Sequence, residues 1–175
     1  RCGSIASKSK IIKSVIDFAN SGGLVLGICN GFQILIQLGL LPGRLELNNN
    51  KRFTCKKVDC RIEGIFKKSL SELRLNMDVA NSFGNYIPEN YEELEKNDRI
   101  FLRYEDETYC QENGSVKNIA GICNEDFTIF GMMPQSQTFL VRLSSYTHSK
   151  GNWHSKHHLW FSSPRSILFH RPSQP

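Results

Sequence analysis

Between residues 9 and 43 the chain runs through a helix pattern, an apolar strand pattern and a second helix pattern with almost nothing between them. This succession constrains the fold more than any other feature of the sequence. Ser9–Ala19 carries Ile11, Ile12, Val15, Ile16 and Ala19 at helical spacing, with Lys8, Lys10 and Lys13 off that stripe, and Ser21-Gly22-Gly23 closes it. Leu24-Val-Leu-Gly-Ile28 holds no polar residue, as expected of a strand buried on both faces of a parallel sheet. From Phe32 to Leu38 the helical period resumes, and Gly39-Leu-Leu-Pro-Gly43 stops it. Helix, strand and helix joined this tightly predict α/β layering.

Further strands are expected at Arg52–Ile62, Ile100–Tyr104, Asn118–Cys123 and Phe127–Met133, separated by Asn/Asp/Gly turns. Tyr91–Lys96 reads as a short helix or an acidic loop, and Asn48-Asn-Asn-Lys51 as a polar turn. With 175 residues, 39% of them hydrophobic, the chain is long enough to bury a core as one domain. The apolar run Gly23–Cys29 is far shorter than the roughly 18 residues of a membrane span, and no basic segment leads an apolar one at the start, so a cytoplasmic protein without membrane contact is expected. Because the chain opens on Arg1-Cys2, its beginning is expected to lie upstream.

Charge divides the chain in two. All 17 acidic residues fall at or before Asp126, and five of the 22 basic ones follow residue 137, so the net charge of +5 belongs to residues 138–175. The five histidines (148, 154, 157, 158 and 170) lie in that same stretch. A neutral folded body at 1–134 and a basic, disordered tail at 135–175 are expected. His154-x-x-His157-His158 invites a metal reading and the basic-aromatic mix of the tail a nucleic-acid one; without a scaffold, a solvated His-rich segment is preferred to both. The six cysteines (2, 29, 55, 60, 110, 123) include no Cys-x-x-Cys pair, and residues 1–147 hold no histidine, so reduced thiols and no metal site are expected.

One position joins geometry to reactivity. In Gly27-Ile28-Cys29-Asn30-Gly31 a cysteine sits between strand and helix, and small neighbours leave room for a sharp turn. A helix N-terminus favours the thiolate, and the Asn30 amide, next after the cysteine, is placed to donate to an oxyanion. A bare Gly-x-Cys-x-Gly fits a buried cysteine beside a tight turn equally well.

The longer string decides between them. Gly27-Ile-Cys-Asn-Gly-Phe-Gln33 resembles the nucleophile elbow of class I glutamine amidotransferases, most closely the glutaminase subunit (PurQ type) of phosphoribosylformylglycinamidine synthase. Arg1–Ala6, Leu40–Gly43, Arg52–Cys55, Gly84–Tyr86, Phe101–Tyr104, Asn113–Asn124 and Gly131–Pro134 resemble the same family in the same order. The resemblance implies a doubly wound, mainly parallel α/β sheet, here missing its first strand and helix, so that the strand at 24–28 lacks a covering neighbour. It also implies glutamine hydrolysis through a cysteine thioester. The ammonia passes to a larger synthetase subunit that uses ATP and Mg, with a small accessory subunit in some assemblies and no cofactor in this chain. Cys29 then resembles the nucleophile, Asn30 and Gly31 the oxyanion turn, and Gln33 a pocket-shaping residue. Arg52 and Phe53 match a pocket-side segment, although Gln33 also suits a solvated helix face and Arg52 a surface ion pair.

Two departures stand beside these matches. Where the family continues Gly-Met-Met-Pro with His-Pro-Glu, the general base and its orienting acid, this chain has Gln135-Ser136-Gln137. Ala80-Asn-Ser-Phe83 replaces a His-rich, acid-containing stretch. A chain that loses the pattern abruptly at Gln135 reads as mis-framed at that point, with a genuine divergent tail as the other reading. The expectation is a glutaminase subunit inactive as it stands; the alternative is a non-catalytic relative or fragment that keeps only synthetase binding.

Overall fold

The computed structural model describes residues 10–67, 75–135, 158–163 and 166–170. The first helix, α1 (Lys10–Asn20), buries Ile12, Val15 and Ala19 and leaves Lys13, Ser14 and Asp17 exposed. β1 (Leu24–Ile28) is buried at all five positions, and α2 (Asn30–Gln37) begins one residue after Cys29. These bounds lie within a residue or two of the sequence expectation.

Around β1 stand β2 (Arg44–Glu46), β3 (Thr54–Ile62), β4 (Leu75–Asn81), β5 (Asn85–Ile87), β6 (Ile100–Tyr104), β7 (Ile119–Cys123), β8 (Ile129–Met132), β9 (His158–Ser163) and β10 (Ser166–His170). Eight of them form one sheet in the order β10-β9-β1-β8-β7-β6-β3-β4, and β2 and β5 pair as a separate ribbon. Helices α3 (Tyr91–Lys96) and α4 (Glu107–Asn113) and short 3-10 turns at Gly64–Phe66 and Val116–Asn118 complete the described elements. Each of the two helices is capped: Asn90 accepts from the Glu93 amide and Asp106 from the Tyr109 amide. None of the described helices is long and apolar enough to cross a membrane.

The parallel part of the sheet is confined to β1 and its two neighbours, β8 and β9, while the other described pairings are antiparallel. Burial does not follow that division: the antiparallel β6 and β7 are as fully buried as β1. β1, β6, β7 and β8 are buried at every position, whereas β3 and β4 alternate buried and exposed residues, as strands with one wet face must.

The tail departs from expectation. The sequence predicts no regular structure at 135–175 and an uncovered β1, yet two strands lie within that stretch, and β9 runs parallel to β1 from Leu24 opposite His158 to Gly27 opposite Phe161. A strand buried on both faces leaves costly unpaired amides if one side stays open, and β9 satisfies them.

At the carboxyl end of β1 the backbone of α2 crosses at van der Waals limits. A Cβ on Gly27 would stand 2.6 Å from the Gly31 carbonyl carbon, 2.7 Å from its oxygen and 2.6 Å from Leu35 Cδ1. Two of those three atoms are main chain and cannot rotate away. Gly27→Ala is expected to lower stability by about 2 kcal/mol or more, read as a shift of the urea midpoint; an unchanged midpoint would show that strand and helix are not in contact there.

Candidate active site: the cysteine elbow and its cleft

Cys29 has φ 53° and ψ −106°, a region that residues with a side chain rarely enter and that costs about 1–3 kcal/mol. Its amide donates to the Met132 carbonyl on β8 at 2.8 Å and its carbonyl accepts from the Gln33 amide at 3.2 Å, so ladder and helix hold it from opposite sides. The strand thus ends, the chain reverses and the helix starts within one residue. That residue stands at the carboxyl end of a strand with parallel neighbours on both sides, where ligands of open α/β sheets collect.

The elbow opens into a cleft of about 1130 Å³ lined by Cys29, Asn30, Gln33, Phe53 and Gln135, with Asn81–Phe83 among the facing residues. Most of the residues chosen from sequence therefore meet in one place. Gly31 serves the crossing with Gly27 and is buried. Arg52 is exposed and is not among the lining residues; what the fold uses is its main chain, which donates to Asn50 Oδ1 at 2.9 Å. Gln137 lies outside the described residues.

Gln33 is half-buried and makes a long-range contact. Its Nε2 donates to the Phe83 carbonyl at 3.1 Å, tying α2 to the opposite wall. Phe53 and Phe83 are 64% and 52% exposed and form an apolar rim. No local pattern marks Arg44 or Leu45, which reach the cleft because the β2–β5 ribbon folds beside it. Asn81 and Ser82, which stood out only as departures from the family pattern, are lining residues as well.

The thiol is 7% exposed, and its chemistry differs from the expectation of a thiolate favoured by the helix N-terminus. Burial pushes the Cys29 pKa above the ordinary thiol value; the Asn30 amide and the Gln135 side chain, both hydrogen-bonded to the sulfur, pull it down but do not prevail. As a neutral donor the thiol faces the Ala80 carbonyl at 3.9 Å. Gln135 is fixed beside it because its amide and carbonyl exchange hydrogen bonds with Asp78 on β4, at 2.8 and 3.0 Å. Among the described residues no group of three His, Cys, Asp or Glu side chains is placed to hold a metal ion.

Residues 2–171 match the family described as CobB/CobQ-like glutamine amidotransferase domain. The chain belongs to this family. The match crosses the boundary between residues 134 and 135 and takes in both tail strands. Among amidotransferase relatives, the phosphoribosylformylglycinamidine synthase subunit PurQ of Pelagibacter ubique is 41% identical over 150 residues, covering 80% of this chain and 66% of that one. The PurQ subunits of Wolinella succinogenes and Helicobacter hepaticus are 43% and 44% identical over 143 residues, covering 78% of this chain and 64% and 63% of theirs. The chain thus spans just under two thirds of the length of these relatives. A solved structure of PurLQS from Thermotoga maritima superposes with a TM-score of 0.66 at 34% identity, over 77% of this chain and 61% of that one. The α/β fold is that of class I glutamine amidotransferases.

The rate of Cys29 alkylation by iodoacetamide, followed against pH by peptide mass spectrometry, is expected to titrate above the value of about 8.5 of a free cysteine. Gln135→Ala is expected to move it further up, since the Gln135 hydrogen bond lowers it. A midpoint near neutrality would contradict this account of the thiol.

Proposed function

We propose that this chain is a PurQ-type subunit that binds glutamine in the Cys29 cleft and docks on an ATP- and Mg-dependent synthetase subunit, in the assembly that makes formylglycinamidine ribonucleotide for purine synthesis. In its present sequence it does not turn glutamine over. The observation that carries the reading is the strained cysteine elbow opening on a lined cleft, in a chain 41–44% identical to PurQ subunits.

The reaction the elbow is built for needs three proton movements. The thiol loses its proton and the sulfur attacks the glutamine carboxamide carbon; the oxygen becomes an oxyanion, which the Asn30 amide meets from the start of α2. The C–N bond then breaks as the nitrogen takes a proton and leaves as ammonia, and a thioester remains. Water that has given up a proton to a base clears it to glutamate. Each step needs a group that titrates near neutrality within about 3 Å of the sulfur. The side chain that the cleft offers the thiol is that of Gln135, and a carboxamide neither takes nor returns a proton.

Binding and turnover therefore separate. Arg44, whose Nε pairs with Glu46 Oε1 at 2.6 Å, turns its remaining guanidinium donors to a substrate α-carboxylate, and Gln33 and the 81–83 wall bring amide groups. Loss of the base is expected to lower turnover by about 10⁴ to 10⁶.

The test measures ammonia release from glutamine by the chain mixed with a synthetase subunit, beside protection of Cys29 from alkylation by glutamine. Protection without detectable ammonia is expected, with ammonia release appearing when Gln135→His, Ser136→Pro and Gln137→Glu are combined. Sustained release by the unaltered chain, abolished by Cys29→Ala, would overturn the reading.

A further inference from the structure

The wall of the cleft opposite Cys29 begins where β4 ends. It consists of the turn from Asn81 to Gly84 and the segment leading to Phe53, and both converge on one side chain. Asn48 is 1% exposed, although its neighbours in sequence form a surface turn. Its main-chain amide donates to the Ser82 carbonyl at 2.8 Å. Its Oδ1 accepts from the Gly84 amide at 3.1 Å and from Asn113 Nδ2 at 3.2 Å. Its Nδ2 donates to the carbonyl and the Oδ1 of Asn81, at 3.1 and 3.2 Å, and reaches the Arg52 carbonyl at 3.4 Å.

A carboxamide with both ends used inside a protein holds its partners in one arrangement, because any displacement leaves a buried polar group unpaired. The partners here are the wall. Gly84 sits so close that a Cβ on it would meet Asn81 Oδ1 at 2.3 Å and Asn113 Nδ2 at 3.0 Å. The turn held in this way carries the Phe83 carbonyl that orients Gln33. A second layer supports the first: Ser115 Oγ donates to the Gly84 carbonyl at 3.1 Å, and Asn81 Nδ2 donates to the Tyr109 hydroxyl at 3.4 Å.

We infer that Asn48 is a positioning residue for the substrate cleft: without lining it, Asn48 fixes the distance between the Asn81–Gly84 wall and the cysteine elbow, and so sets the affinity for the glutamine side chain while leaving the reactivity of the sulfur alone. This rests on the glutamine-binding reading above.

The test uses a chloroketone analogue of glutamine, whose halide leaves as the Cys29 sulfur bonds to carbon and the thiol proton passes to solvent. Asn48→Ala is expected to raise the half-saturating concentration by about tenfold or more, because misplacement of a wall by about 1 Å is costly. The limiting alkylation rate and the rate with iodoacetamide, which needs no pocket, should stay within about twofold. Gly84→Ala, which forces the same turn away from the other side, should give the same split. Unchanged half-saturation in both variants, or an equal loss in the iodoacetamide rate, would overturn the inference. If the unaltered chain labels without saturation, the glutamine-binding reading fails and the wall is judged by hydrogen exchange at the Gly84 amide. Asn48→Ala then accelerates that exchange by about tenfold or more if Asn48 holds the turn, and leaves it unchanged if it does not.

Discussion

Everything at the site depends on how closely strand β1 and helix α2 pass at Gly27 and Gly31. With main chain within 2.7 Å of where a Cβ would stand, no other residue fits at 27, and the reversal between strand and helix is completed in a single residue. Cys29 takes that strain at φ 53°, held by Met132 on one side and the Gln33 amide on the other. The sulfur is thereby presented at the carboxyl end of a buried strand rather than inside the sheet. The cleft wall, the Asn48 network and the anchoring of Gln135 to β4 all act on a group whose position this crossing has already set.

The same burial that shapes the site works against its chemistry. Removing a thiol from water favours its neutral form, and two hydrogen bonds, from Asn30 and Gln135, are a smaller effect than that desolvation. An amide at a helix start stabilises charge that already exists; it does not accept the proton. In the reaction proposed for this chain the elbow supplies attack geometry and an oxyanion donor, whereas proton transfer would fall to residue 135, where the chain carries an amide. On that proposal, substrate recognition and catalytic turnover rest on different parts of one cleft.

How much of this was legible in the sequence follows from what kind of force makes each part. Local patterns are written locally: the apolar run Leu24–Ile28 between two helical stretches gave α1, β1 and α2 almost to the residue, and the small residues around Cys29 marked the elbow. Pairing partners are not written locally. β2 and β5 are three residues each and exist because they face one another, and Leu75–Asn81, though it alternates cleanly, becomes a strand against β3. The Asn48-Asn-Asn-Lys51 run reads as a polar turn in isolation; Asn48 turns inward only because Asn81, Gly84 and Asn113 arrive from up to 65 residues away. The expected lowering of the Cys29 pKa failed for a related reason. The helix start is local and visible, while the burial that outweighs it is assembled from β4 and β8, which arrive from far away in sequence.

The most direct measurement is a crystal structure of the chain soaked with glutamine. The glutamine carboxamide carbon should lie within about 3.5 Å of Cys29 Sγ, in near-attack geometry. Its oxygen should point at the Asn30 amide, with the side chain running between Gln33 and the Asn81–Gly84 wall. Glutamine bound elsewhere with Cys29 covered, or a Cys29 turned into the sheet, would contradict the account.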